Sequence, residues 1–199
     1  MGDIGYWEIV RDCQVPHLGD VTRDDSRKLL VVTALRQVFF EDLKFHTNKP
    51  DYNNPDNCSP ERVLANRKGR PIFVAHVIIA VAERLKVPIV GLPVSGMYSV
   101  KYDGRRAPKG FPHEDIVFYP HEGGRVLSRE DRLKLFPSHD PDELVPSDSN
   151  RDVLIRMLNN LTSVLDHQPD RTEELQLANG MLLRLQKGNK VVTDVVPDP

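Results

Sequence analysis

The residues of this 199-residue chain best suited to nucleophilic or metal chemistry are two cysteines, Cys13 and Cys58, and a scatter of histidines. A thiol nucleophile needs a base and an orienting group within hydrogen-bond reach. Cys58 is the better candidate, because Ser59-Pro60 reads as a helix start whose N–H groups would lower a neighbouring thiol's pKa. His113 and His121 sit in loops near strand ends and could serve it as bases. The favoured reading is plainer: Cys58 is a small structural thiol, and Cys13 is another. His113-Glu114 and His121-Glu122 flank a strand, but no Cys-x-x-Cys or His-Glu-x-x-His spacing converges on a metal. Gly123-Gly124 is a lone dipeptide and opens no helix, so no nucleotide site is implied. No metal and no cofactor are expected. His76, inside an apolar helix, reads as a core histidine bonded to a backbone carbonyl.

The places for a triad nonetheless exist. Residues 59–131 form a helix–strand–strand unit, and a helix N-terminus followed by two strands can bring three side chains to one sheet edge. Here those positions fall on Phe73, Met97 and Tyr119, none of which is a good nucleophile, base or carboxylate at neutral pH.

The elements that must position them follow from pattern. Thr22 or Asp24 caps a helix whose stripe, from Leu29 and Leu30 to Phe39 and Leu43, recurs at helical spacing. Residues 48–57 are loop by composition. Ser59 caps a short helix with Pro60 at its first position, and Pro71 plays the same part for the next. That helix is apolar nearly all round and should be the most buried. Val87–Val94, Met97–Tyr102 and Asp115–Tyr119 read as strands, and Ser128 to Asp131 as a capping-box start. Asp152–Leu165 and Thr172–Leu185 form an αα-hairpin after a Pro/Asp/Ser-rich linker. The expected organisation is a docking segment over 1–24, a core over 25–145, the hairpin over 146–188 and a tail over 189–199.

The chain carries a net charge of −2 and 39% apolar residues. A nucleic-acid binder would show a basic face. The runs Arg67-Lys68-Gly69-Arg70 and Gly104-Arg105-Arg106 read instead as solvated loops. No long apolar run implies a membrane span, and no signal-peptide core opens the chain. The expected location is cytoplasmic, or an organelle interior if a transit peptide has been removed.

Several ordered blocks resemble a known family. They are Pro55-Asp56-Asn57-Cys58-Ser59, Arg67-Lys68-Gly69-Arg70-Pro71-Ile72, Val81-Ala82-Glu83-Arg84-Leu85 with Val87-Pro88-Ile89, and Gly123-Gly124-Arg125-Val126-Leu127-Ser128-Arg129-Glu130-Asp131. With Arg156-Met157-Leu158-Asn159-Asn160-Leu161, they resemble the SirB1-type transglutaminase-like proteins over about residues 28–185. The resemblance implies an α+β fold: a papain/transglutaminase-like core, with a central helix packed on a small antiparallel sheet, followed by a tetratricopeptide-like helical hairpin. It places the family's nucleophile position on Phe73, its His on Met97 and its Asp on Tyr119, so the scaffold is implied and the activity is not. The expected function is that of a non-catalytic, protein-binding or assembly subunit of a larger complex. Adaptor and permanent structural subunit both fit this expectation, and the rival reading is a cysteine-dependent amidase or acyl transferase using Cys58. The expected partners are proteins, with no nucleic-acid specificity.

Overall fold

The computed structural model describes residues 25–94, 97–107, 115–137, 140, 144 and 149–187. The expected N-terminal docking segment and the C-terminal tail lie outside them, as do Cys13, His113 and Glu114. The chain divides into two compact units, Met1–Asp148 and Ser149–Pro199.

In the first unit, helix α1 spans Asp25–Arg36 and widens over Gln37–Asp42 into a π-helical turn. The sequence pattern anticipates one continuous α-helix here. The structure instead shows Leu43 N–H donating to Val38 O, five residues back, at 2.8 Å. The wider turn leaves Phe39 fully buried, with its ring 5.6 Å from that of Phe45. Two-residue strands β1 (His46–Thr47) and β2 (Lys68–Gly69) pair in parallel. Between them lie a 3-10 turn, Pro55–Cys58, and helix α2, Pro60–Asn66. The side chain of Ser59 accepts from Arg62 N–H at the start of α2, as its position before Pro60 implies.

Helix α3, Pro71–Arg84, is the centre of the unit. Ile72, Phe73, Val74, Ala75, Val77, Ile78, Val81 and Ala82 are all buried, which is why its sequence shows little polar face. It packs on β3 (Ile89–Val94) and β4 (Met97–Tyr102) of a four-stranded antiparallel sheet in the order β3-β4-β5-β6. Strand β5 is Ile116–Tyr119 and β6 is Arg125–Val126. Tyr98 faces the helix, its ring 5.3 Å from that of His76, and a side chain on Gly91 would collide with it. Residues of opposite parity build the second core layer: Leu92, Val117 and Tyr119 cluster with Leu127, Phe136 and Leu144.

Lys101 is completely buried and is tied to Asp115 at 2.6 Å. Asp115 also accepts from Gly104 N–H, which is why the strand begins at Ile116 rather than at Asp115. Arg105 and Arg106 are exposed but converge on the buried carboxylate of Asp103. Helix α4, Arg129–Leu135, has the expected capping box between Ser128 and Asp131.

The second unit is an antiparallel helical hairpin of α5 (Asn150–Leu165) and α6 (Thr172–Gln186). A capping box between Ser149 and Asp152 starts α5 two residues earlier than the apolar pattern suggests. Val164, Leu165 and Ala178 are buried, while Leu154, Leu177, Met181 and Leu183 are exposed. The architecture is α+β: a central helix on a small antiparallel sheet, followed by a helical hairpin.

Gly123 and Gly124 close the turn after β5 with φ of 62° and 71°. Gly124 O accepts from Arg36 Nε of α1, and a side chain at Gly124 would run into the Phe40 ring, whereas Gly123 faces open space. Gly124→Ala is therefore expected to lose about 2–4 kcal/mol, from left-handed strain plus overpacking. Gly123→Ala should lose only about 1 kcal/mol, from strain alone. Urea unfolding of the two variants checks the ordering.

Candidate functional site

The N-terminus of α3 is built around an arginine. Arg70 is only 7% exposed, so the structure corrects the reading of residues 67–70 as a solvated basic loop. Arg70 O accepts the first helical bonds, from Phe73 N–H and Val74 N–H, and Arg70 N–H donates to Asn57 O at 3.0 Å. The guanidinium lies over the Tyr52 ring, 4.4 Å from its centroid, and donates to Asn53 Oδ1 at 3.2 Å. A buried guanidinium needs such partners, because an uncompensated charge in the interior costs several kcal/mol.

The loop that supplies them is itself fixed by a buried amide. Asn57 donates to Asp51 O at 2.6 Å and to Tyr52 O at 3.3 Å, while its Oδ1 accepts from Asn48 Nδ2 at 3.0 Å. These bonds satisfy most of what an amide side chain can make. The Tyr119 hydroxyl is pushed above its ordinary pKa by burial, then by Glu122 and Tyr52. The Tyr119 ring lies 5.5 Å from that of His121. His121 occupies the 3-10 turn Pro120–Glu122, against which both β1 and α3 pack. Burial and then Lys49 hold its pKa below the ordinary value, with Glu122 pulling the other way.

The three triad positions expected from sequence fall as follows. Phe73 is the third residue of α3 and is buried. Tyr119 ends β5, buried in the layer with Leu92 and Val117. Met97 opens β4, and its side chain lies outside the described residues. The β4–β5 register, Val100 opposite Phe118 and Lys101 opposite Val117, runs Met97 and Tyr119 toward the same end of the sheet. The ring contacts here are Arg70 over Tyr52 at the helix start and Tyr119 with His121 at the end of β5. Sequence reasoning missed Tyr52, Arg70 and Asn57. The available signal was a basic residue directly before a helix-opening Pro, facing an Asn-rich loop with one aromatic.

Cys58 is buried at the end of its 3-10 turn, and burial pushes its pKa up to about 11 against a smaller lowering by Arg70. At neutral pH it is a thiol, not a thiolate. His76 Nδ1 lies 2.7 Å from Ile72 O, one helical turn back, and burial lowers its pKa. Among the described residues, no group of three or more His, Cys, Asp or Glu side chains could hold a metal. No described helix is long and apolar enough to cross a membrane.

Two outcomes follow. Iodoacetamide at pH 7 should label Cys58 roughly 300-fold more slowly than a free cysteine of pKa about 8.5, because labelling follows the thiolate fraction. For His76 and His121, folded-state pKa values below the unfolded value of about 6.5 mean that the unfolded chain binds more protons. Their contribution is complete above about pH 6.5 and is lost as the pH falls below it. The melting temperature should be lower at pH 5.5 than at pH 7.5, and His76→Leu should flatten that difference.

A profile of the transglutaminase-like superfamily matches residues 12–159. A UPF0162 protein of Xylella fastidiosa strain 9a5c is 28% identical over 174 residues, covering 81% of this chain and 58% of that protein. Mouse F-box only protein 21 is 27% identical over 135 residues, covering 67% of this chain and 22% of that protein. The human F-box only protein 21 is 26% identical over the same length. The chain thus spans less than two thirds of the length of these relatives. No solved structure matches it.

Proposed function

The chain belongs to the transglutaminase-like superfamily, and we propose that it is a non-catalytic, SirB1-type member acting as a protein-binding or assembly subunit of a larger complex. The observation that carries this reading is the side chain at the start of α3. A nucleophile there would gain most from the helix N-terminus, yet the position holds a buried Phe73. Met97 and Tyr119 stand where the resemblance expects the family's His and Asp, and neither is a base or a carboxylate at neutral pH. The rival, a Cys58-dependent amidase or acyl transferase, is disfavoured by a buried thiol with a pKa of about 11.

The binding half of the proposal draws on the hairpin. Leu154, Leu177, Met181 and Leu183 expose large apolar side chains there, and such surfaces on a small unit mark contacts with other chains. A related stretch makes up only 22% of F-box only protein 21, so this type of domain occurs within a larger protein of that name.

The native protein should neither incorporate an amine into a glutamine-bearing protein nor hydrolyse an acyl amide faster than buffer. Turnover that Cys58→Ser abolishes would sink the non-catalytic reading. For the binding half, Leu177→Glu with Met181→Glu should shift stability by no more than about 0.5 kcal/mol, as expected of exposed positions. The double variant should lose a protein partner that the native chain retains at about 0.5 M salt, where surface ion pairs are screened. An identical set of retained partners for both proteins would remove the hairpin from the account.

A further inference from the structure

Helix α6 of the hairpin has two unlike sides. Leu175, Ala178, Leu182 and Leu185 are its buried or half-buried apolar residues, on the side that packs against α5. On the opposite side Glu173, Leu177, Gly180 and Arg184 recur at spacings of four, three and four, which makes one stripe along the helix. Met181 and Leu183 border the stripe, and both are exposed. Leu177 is 68% exposed, so most of its side chain stands clear of the hairpin. Gly180 sits inside the helix, where glycine costs stability relative to alanine, yet a side chain built there would meet nothing within 4 Å. Packing within the chain therefore gives no reason for a glycine at that place. The stripe also ends in opposite charges. Neither Glu173 nor Arg184 has an opposite charge three or four residues away on the helix to pair with it.

We propose that this face of α6 docks on the same face of a second copy of the chain, turned end for end about a two-fold axis. The proposal rests on the protein-binding reading above and names the partner of the hairpin. With the axis passing between residues 178 and 179, Leu177 seats over Gly180 of the second copy, the leucine as knob and the glycine leaving the hole. The same axis sets Glu173 against Arg184 of the second copy and, by symmetry, Arg184 against its Glu173. One placement thus satisfies the apolar centre and both charged ends, which is what a self-complementary interface demands. A parallel arrangement would set Glu173 on Glu173 and Arg184 on Arg184, and like charges in register repel. A second copy brings the leucine and the charges from the pattern already in this chain, whereas an unrelated helix would have to supply each of them independently. A single helix face lies at the small end of protein interfaces, below about 1,200 Å² in total, so the association is weak and reversible.

The test is sedimentation equilibrium of the full chain from about 5 to about 500 µM at low salt, a range that brackets a micromolar dissociation constant. A reversible monomer–dimer equilibrium is expected. Gly180→Gln should weaken the dimer by roughly tenfold or more, because the side chain fills the hole that Leu177 enters. The same change should raise the melting temperature of the dilute monomer, since glutamine is the better helix former, so a damaged fold cannot account for the loss. Glu173→Arg alone and Arg184→Glu alone should each weaken the dimer by about tenfold, since symmetry places two like-charge contacts in every dimer. Combining the two reversals should restore affinity to within about threefold of the native chain, and about 0.5 M salt should shrink both the loss and the rescue. A chain that remains monomeric throughout would overturn the proposal. So would a dimer indifferent to Gly180→Gln, or charge reversals whose effects add instead of cancelling. Each of these failures leaves the protein-binding reading to the partner-capture experiment with the Leu177 and Met181 variants, which decides it independently.

Discussion

The burial of Arg70 is the constraint on which the rest of the core depends. A guanidinium with so little exposure is tolerable only if its surroundings replace water, and here they do so from two directions. Tyr52 offers a ring face and Asn53 an amide oxygen, while the backbone of Arg70 is shared between Asn57 and the first turn of α3. The arginine is therefore a joint between an irregular loop and the most buried helix. Loosening it would free the loop from the start of the helix. Lysine could not substitute, because a point-like ammonium has neither the flat face for Tyr52 nor the fork for Asn53.

The same geometry gives the Phe73 position its meaning. A helix N-terminus beside a cationic side chain is an environment that stabilises an anion, and in a cysteine enzyme that anion is the thiolate. This chain keeps the helix start and the nearby charge. At the third helical position it has an aromatic ring that contributes to the core, and its nearby cysteine lies in apolar surroundings that hold the proton on sulfur. Burying Phe73 gives apolar stabilisation where a reactive group would have required an ionised, partly solvated one.

Much of this was legible in the sequence wherever the information is local. Ser59-Pro60, Pro71 and the Ser128–Asp131 pair announce helix starts through capping chemistry that needs only three or four residues of context. The long strands showed through β-branched and aromatic content. What escaped was non-local. Strands of two residues, such as β1, β2 and β6, have no period to read and exist because a distant segment pairs with them. The π-helical turn at Gln37–Asp42 follows the apolar spacing of an α-helix, and only the demand to bury Phe39 against Phe45 widens it. Arg70 sat in a run whose composition pointed to solvent, because partnership with Tyr52 and Asn53, 17 to 18 positions earlier, leaves no mark on local composition. The environment at the start of α3 was illegible for that reason.

That distinction bears on how the start of α3 is held. The residues that hold that start are Arg70, Tyr52 and Asn57, and they do so by packing and hydrogen bonding. With Phe73 at the third position of the helix, no ionised group has to be held inside that frame. The hydroxyl of Thr47 and Nδ1 of His121 are buried without hydrogen-bond partners among the described residues, which carries a folding cost.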